Sequence, residues 1–91
     1  MYRIIRSNTF KKSFKRCLKR GLDIKRFEKV IEILSHKGTL PLEYRPHRLS
    51  GKFNHVWECH ISSDWLLTWE LDNDALILIL LDTGTHSDIF G

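Results

Sequence analysis

The first third of the chain has the hydrophobic spacing of two amphipathic helices. The first apolar set is Phe10, Phe14, Cys17 and Leu18, and the second is Ile24, Phe27, Val30, Ile31 and Leu34. Each set recurs at intervals of three or four residues, which predicts one buried stripe per helix. Ser7 or Asn8, and then Asp23, are suited to cap the N-termini, while Gly21 and Gly38 end the helices. The short link Gly21-Leu22 predicts an antiparallel helical hairpin.

Strand patterns lie on either side of these helices. A short strand is predicted over residues 2–6, and three more over residues 56–61, 65–71 and 75–81. In the second of them, Val56, Glu58 and His60 alternate with Trp57, Cys59 and Ile61, so the two sets face opposite sides of the sheet. The tight link Ser62-Ser63 and the turn Asp72-Asn73-Asp74 predict antiparallel pairing. Residues 75–81 are apolar on both faces, as in a central strand.

The predicted element order is therefore β-α-α-β-β-β in an α+β domain that covers residues 1–91. The basic helical hairpin is expected to pack on one face of a small antiparallel sheet. Residues 39–54, which include Pro41, Pro46 and Gly51, read as irregular structure. An irregular segment of that length is unusual in so small a domain and is often functional.

Size and composition narrow the range of functions. A chain of 91 residues has room for one hydrophobic core, so a large buried cofactor is not expected and none is assigned. No apolar run reaches the ~18–20 residues of a membrane-spanning helix, and the first residues lack the apolar stretch of a signal peptide. Cys17 and Cys59 match no zinc spacing and are expected to be packed thiols. We expect a cytoplasmic protein without a membrane partner.

Charge is distributed unevenly along the chain. Residues 1–37 contain twelve Lys and Arg against three acidic residues, whereas residues 38–91 contain three against eight. This polarity favours an anionic partner for the N-terminal half, either nucleic acid or an acidic protein. A pair of solvated basic helices would show the same pattern, so charge alone does not establish an anionic partner.

Four polar residues of the C-terminal half are expected to converge. His60 lies near the end of one predicted strand, Asp64 begins the next, and His86 follows the end of the third. Antiparallel neighbours meet end to start, which brings these three residues to one edge of the sheet. His47, on the irregular segment, can fold over that edge. By contrast, His36 is expected to stabilise the C-terminal end of its helix. His55 is expected to be solvated in a turn.

This group of residues suits RNA cleavage through the 2′-hydroxyl. The reaction needs a base at that hydroxyl and an acid at the leaving 5′-oxygen, and imidazole exchanges protons near neutral pH. Two histidines and a carboxylate that orients them are sufficient without a metal. Zinc binding by His47, His60, Asp64 and His86 is an alternative, because these are good zinc ligands. We rank it lower because their local spacing is not that of a metal site.

Several sequence blocks resemble a known toxin family. They are His47-Arg48-Leu49-Ser50-Gly51, Glu58-Cys59-His60-Ile61, Asp64-Trp65-Leu66-Leu67 and Thr83-Gly84-Thr85-His86-Ser87-Asp88-Ile89-Phe90. In this order and spacing they resemble the YafQ-type branch of the RelE/ParE superfamily, bacterial toxins of type II toxin–antitoxin systems. The resemblance implies a ribosome-dependent mRNA endoribonuclease and a cognate antitoxin that neutralises it.

The resemblance also implies particular residues. The family's active-site positions fall on His47, His60, Asp64, His86 and Phe90, with His86 as general acid and His47 or His60 as base. Positions expected to contact RNA or the ribosome are Lys11, Lys12, Lys15, Arg16, Lys19, Arg45, Arg48 and Lys52. The basic helical hairpin is the expected dock for an acidic antitoxin segment that folds on binding.

Two positions depart from the family pattern. Trp57 and Asp82 stand where the family often has arginine. Both changes remove positive charge near the expected site, and Arg45, Arg48 and Lys52 are the candidates to replace it. An alternative function follows from the shared fold, because ParE-type relatives act on DNA gyrase. The chain would then be a binding module that does not cut RNA, although such a module has no need to keep the histidines together.

Overall fold

A computed structural model describes residues Met1–Gly91 and confirms the α+β class. The main elements are β1 (Arg3–Arg6), α1 (Asn8–Lys19), α2 (Ile24–Lys37), β2 (His47–Arg48), β3 (Trp57–Ser62), β4 (Trp65–Asp72), β5 (Ile77–Gly84) and α3 (His86–Phe90). The five strands form one sheet in the order β1-β5-β4-β3-β2. None of the helices is long and apolar enough to cross a membrane.

The predicted helix boundaries are confirmed. The Ser7 side chain accepts a hydrogen bond from the Phe10 amide, and the Asp23 side chain accepts one from the Lys25 amide. Gly38 ends α2 in the left-handed conformation (φ 70°). Because a Cβ on Gly38 would lie 2.8 Å from the Tyr2 hydroxyl oxygen, no larger residue fits there without displacing Tyr2.

Two residues of the predicted apolar stripes do not face the core. Leu18 is 40% exposed and Ile24 is 43% exposed. The buried side of α1 is centred on Phe10, Ser13 and Cys17, and Leu18 lies about 100° around the helix from Cys17. Ile24 occupies the first position of α2, before that helix reaches the sheet.

The sheet is mixed, whereas the prediction was an antiparallel sheet. Strands β3, β4 and β5 are antiparallel neighbours, as predicted, but β1 pairs with β5 in parallel. The two-residue strand β2 lies inside the segment predicted to be irregular. It forms because His47 pairs with Glu58 of β3. At the other end, β5 begins at Ile77, later than predicted, since the Asp72 side chain closes a turn by accepting hydrogen bonds from the amides of Asp74 and Ala75.

The hydrophobic core lies between the helices and one face of the sheet. The largest buried side chains there are Trp65, Trp69, Phe10, Leu34, Leu67, Leu78 and Leu80. Phe27 links α2 to the sheet through Trp65, with ring centroids 6.4 Å apart. Burial raises the pKa of the Cys59 thiol to about 12, so this cysteine stays protonated and is a packed thiol, as predicted.

The opposite face of the sheet, here called the open face, is not covered by α1 or α2. It carries Glu58 and His60 from β3 and their β4 partners Thr68 and Leu66. Residues 49–56 and α3 flank it, where they line a groove of about 420 Å³ together with Thr68 and Glu70. The predicted site residue His60 lies on this open face.

Candidate active site

Strand register brings the ends of three strands into one row. His60 on β3 pairs with Leu66 on β4, and Leu66 pairs with Gly84 on β5. Asp64 lies in the turn between β3 and β4, and His86 follows Gly84 by two residues. The predicted meeting of strand ends is therefore confirmed, and the His60 and His86 rings lie 5.8 Å apart between centroids.

A hydrogen bond joins His86 to Asp64. Nδ1 of His86 lies 3.1 Å from Oδ1 of Asp64, and the His86 backbone amide donates to the same oxygen at 3.3 Å. These two hydrogen bonds, the side-chain one first, lower the pKa of the Asp64 carboxyl. An ionised Asp64 can only accept, so Nδ1 of His86 carries a proton. Nε2 is therefore the nitrogen left for proton exchange with a substrate.

His60 contrasts with the other two histidines of the site. Its ring lies beside that of His86, half-buried on the open face, and no other residue holds it through a hydrogen bond. Both ring nitrogens are therefore available to a substrate. An imidazole with a free ring nitrogen can accept a proton from a substrate hydroxyl.

His47 has acceptors at both of its ring nitrogens. Nδ1 lies 2.8 Å from the Arg45 carbonyl oxygen, and Nε2 lies 3.2 Å from Oε1 of Glu58. A carbonyl oxygen cannot donate, so Nδ1 carries a proton. The contact at Nε2 is an ion pair only when the imidazole is protonated. The His47 ring is thus held between the Arg45 carbonyl and the Glu58 carboxyl.

Glu58 is a candidate functional residue that the sequence pattern alone did not single out. Its side chain is 5% exposed, and its Oε2 atom has no hydrogen-bond partner. A buried charge that lacks full pairing is costly and is rarely retained without a function. The signal was present in the sequence, since Glu58 occupies the strand face that it shares with His60.

The helix α3 is fixed in place by Asp88. Thr85 and Asp88 form a reciprocal capping box at its N-terminus. The Asp88 carboxylate also reaches α1, 2.5 Å from a guanidinium nitrogen of Arg20 and 3.8 Å from one of Arg16. These partners, Arg20 foremost, hold the pKa of Asp88 well below its usual range. One carboxylate thus connects the basic helix to the segment that carries His86.

Phe90 lies one helical turn after His86 on α3. The two ring centroids are 6.3 Å apart, and the Phe90 side chain is 56% exposed. An exposed aromatic face next to the imidazoles can stack on a nucleobase.

The predicted cationic residues are spread over several surfaces. Arg45 shares a cleft with His60, while Lys52 lies in the loop beside Phe53, 5.4 Å from its ring. Arg48 pairs with Trp57 across the strands and lies 5.2 Å from that ring centroid. It therefore faces away from His47, its neighbour in the strand.

The predicted basic residues of α1 are Lys11, Lys12, Lys15, Arg16 and Lys19, all of them exposed. The first three line a groove of about 400 Å³ with Arg6, Phe10 and Phe14. Arg16 instead points to Asp88. At the position where the family often has arginine, Asp82 accepts a hydrogen bond from the Thr83 amide at 2.8 Å.

The donor set does not form a metal centre. No three His, Cys, Asp or Glu side chains lie close enough together to hold a metal ion. Of the remaining histidines, His36 contacts the Glu32 carbonyl oxygen at 2.9 Å, consistent with its predicted position at a helix end. His55, predicted to be only solvated, lies 3.4 Å from Oε1 of Glu70.

Acid should release α3 from the sheet. The pKa values of Asp64 and Asp88 are lowered in the folded protein, so their contacts stabilise it fully above the unfolded value of about 3.9. That stabilisation is lost as pH falls from about 4 through the lowered pKa values. We expect hydrogen exchange at the α3 amides to accelerate in this window before the core unfolds. Asp88→Asn should accelerate it already at neutral pH. Equal protection of α3 and β4 down to pH 2 would contradict the expectation.

Comparison with known proteins agrees with this fold. The family model for the YafQ bacterial toxin of type II toxin–antitoxin systems matches residues 2–91. The mRNA interferase toxin YafQ of Escherichia coli K12 is 31% identical over 87 residues, which cover 93% of this chain and 91% of the relative. The E. coli DinJ–YafQ complex matches with a TM-score of 0.90 at 28% identity over the full length of both chains. A copper-bound mutant toxin from Helicobacter pylori matches with a TM-score of 0.91 at 33% identity over 99% of this chain and 100% of that one.

A match over almost the whole chain, in both sequence and structure, establishes the family. The chain belongs to the YafQ family of type II toxin–antitoxin toxins.

Proposed function

We propose that this protein is an mRNA endoribonuclease that cleaves through the substrate's own 2′-hydroxyl. The observation that carries the proposal is the pair of facing imidazoles, His60 and His86, at 5.8 Å between ring centroids. Only His86 is oriented by a carboxylate. Two imidazoles in different environments are suited to one acid and one base. The E. coli relative carries the name mRNA interferase.

The geometry supports a division of roles. His60, free of hydrogen bonds, removes the proton from the 2′-hydroxyl, and the resulting oxygen attacks the adjacent phosphorus atom. His86, aligned by Asp64, gives a proton from Nε2 to the leaving 5′-oxygen. The products are a 2′,3′-cyclic phosphate and a free 5′-hydroxyl. His47 is assigned no proton transfer, because Nδ1 is held by the Arg45 carbonyl and Nε2 faces Glu58.

The ribosome supplies what this small site lacks. Acid and base each contribute about 10²–10⁴-fold, whereas precise alignment of the reacting groups can contribute several kcal/mol more. The His86 side chain is 57% exposed, so the two imidazoles alone do not enclose and align a flexible mRNA. We therefore place the reaction on ribosome-bound mRNA in the cytoplasm, with Phe90 stacked on a base next to the cleaved bond.

An antitoxin is the second proposed partner. The E. coli relative has been solved in complex with DinJ. In the present chain, the groove beside Lys11, Lys12 and Lys15 combines positive charge with the apolar rings of Phe10 and Phe14. Such a groove suits an acidic, amphipathic segment that folds on binding. The ion pair between Arg20 and Asp88 also connects the α1 end to α3. A partner bound to α1 would therefore lie close to the helix that carries His86.

Ribosomes programmed with a defined mRNA provide the decisive assay. We expect site-specific cleavage with 2′,3′-cyclic phosphate ends, at an unchanged rate in EDTA. An mRNA with a 2′-O-methyl group at the cleaved nucleotide should resist, because the nucleophile is blocked. The pH dependence should be bell-shaped, since one imidazole must be neutral and the other protonated. Absence of cleavage at every toxin concentration would favour the alternative of a non-cutting binding module.

A further inference from the structure

A cleft beside the proposed active site contains two arginines. It has a volume of about 370 Å³, and its lining includes Arg26, Glu43, Arg45, His60, Ser62 and Ser63. That volume falls within the range of about 300–1,000 Å³ found for small-ligand sites. His60 belongs both to this cleft and to the imidazole pair, so the cleft continues directly from the proposed point of cleavage.

The two guanidinium groups of the cleft are not neutralised within the protein. Neither Arg26 nor Arg45 is among the five ion pairs of the structure, which involve Arg16, Arg20 and three histidines. Glu43 is the only acidic residue of the lining. Exposed arginines without carboxylate partners are suited to bind phosphate through two parallel hydrogen bonds.

The backbone of Arg45 adds an independent observation. It adopts the left-handed conformation, φ 51° and ψ 50°, which is strained for a residue with a side chain. In that conformation its carbonyl oxygen accepts the hydrogen bond from Nδ1 of His47 at 2.8 Å, while its side chain lines the cleft. One strained residue thus links the cleft to His47, and strain of this kind concentrates at functional sites.

We propose that this cleft binds a backbone phosphate of the RNA next to the cleaved one, with Arg26 and Arg45 as its ligands. The inference rests on the proposed RNA cleavage and gives it a binding subsite. It also supplies the positive charge missing at Trp57 and Asp82. Part of that charge comes from Arg26 on α2, a helix that no sequence motif of the site includes. Arg26 positions the RNA, and no proton transfer is assigned to it.

The test is a binding measurement that does not depend on cleavage. The probe is a 2′-O-methyl-RNA pentanucleotide, which cannot be cut, titrated into isotope-labelled protein and followed by NMR. We expect amide shifts at residues 60–63 and near residue 26. Arg26→Gln should weaken binding about tenfold, as expected for one charged hydrogen-bonded contact. It should also reduce the slope of log K against log salt by about 0.7, the value for one phosphate contact with a single strand.

Two further variants separate a local contact from general electrostatics. Arg3→Gln removes the same group and the same charge from β1, at the opposite edge of the sheet, and should leave both affinity and salt slope unchanged. Glu43→Gln removes the only acid of the cleft and should tighten binding. Arg45 is not used, because its backbone holds His47 and substitution would disturb both sites.

The possible outcomes are distinct for the two proposals. Equal losses for Arg26→Gln and Arg3→Gln, or no loss for either, would overturn the phosphate subsite even if the parent protein cleaves mRNA on ribosomes. Conversely, a parent that never cleaves removes the proposed nuclease function, while the pentanucleotide titration still reports whether the cleft binds phosphate. In ribosome assays, Arg26→Gln should raise KM more than it lowers kcat, because uniform binding is lost.

Discussion

Replacing His86 by alanine should lower the rate of mRNA cleavage on ribosomes by about 10²–10⁴-fold, the contribution of one positioned proton-transfer group. The variant removes the proposed donor to the 5′-oxygen and leaves His60 in place. Fold stability should change little, since the His86 side chain is 57% exposed. The measurement is the single-turnover rate on mRNA-programmed ribosomes, with a thermal melt to verify folding.

Two other variants show whether the loss comes from His86 itself. Asp64→Asn keeps the shape of the side chain but can no longer act as a purely accepting partner for Nδ1, so it should cause a smaller loss in kcat. His55→Ala removes another exposed imidazole, also paired with a carboxylate on the open face, and should leave the rate unchanged. If His86→Ala retained the parent rate, or if His55→Ala lost as much, the assignment of the general acid would be wrong.

Gly84→Ala should lower cleavage by about 10²-fold without touching a catalytic group, because small displacements of reacting groups have effects of this size. Gly84 has a φ of 150°, and an added Cβ would lie 2.7 Å from Oδ2 and 2.8 Å from Cβ of Asp88. Asp88 must then move away, which breaks its contacts with Thr85 and Arg20. The start of α3 moves with it, and His86 is displaced from His60.

The readouts for this variant are the cleavage rate and the NMR spectrum of α3. The core should remain folded, since Trp65 and Thr83 stay joined by their buried hydrogen bond of 2.8 Å. Gly51→Ala is the matched control: this glycine also has a positive φ, 71°, but nothing lies within 4 Å of an added Cβ. Backbone strain alone would make the two variants alike, whereas a clash with Asp88 affects only Gly84→Ala.

Local rules were sufficient for most of the fold. Local residue types predict the helix caps at Ser7 and Asp23 and the left-handed end of α2 at Gly38. The structure confirms all three. Pairing of β1 with β5 in parallel could not be read from the sequence, because it joins segments more than 70 residues apart. The strand β2 was also missed, since two residues carry too little pattern to indicate a strand.

The same distinction applies to the site. Convergence of His60, Asp64 and His86 followed from antiparallel register, which tight turns specify locally. The contact between His47 and Glu58 depends on β2, so it became visible only in three dimensions. Arg26 was hidden for a different reason. On a basic helix it is one cation among many, and only the packing of α2 beside β3 sets it next to His60.

The position of β5 in the sheet has a consequence for protein synthesis. This strand is the last to be made, yet it lies between β1, the first strand, and β4. Without residues 77–84, β1 has no neighbouring strand, because β5 is its only partner in the sheet. The sheet closes only when residues 77–84 emerge, and they lead directly into the segment that carries His86. Because β5 joins β1 to β4 and leads directly into α3, closure of the sheet and placement of His86 are expected to be coupled in folding.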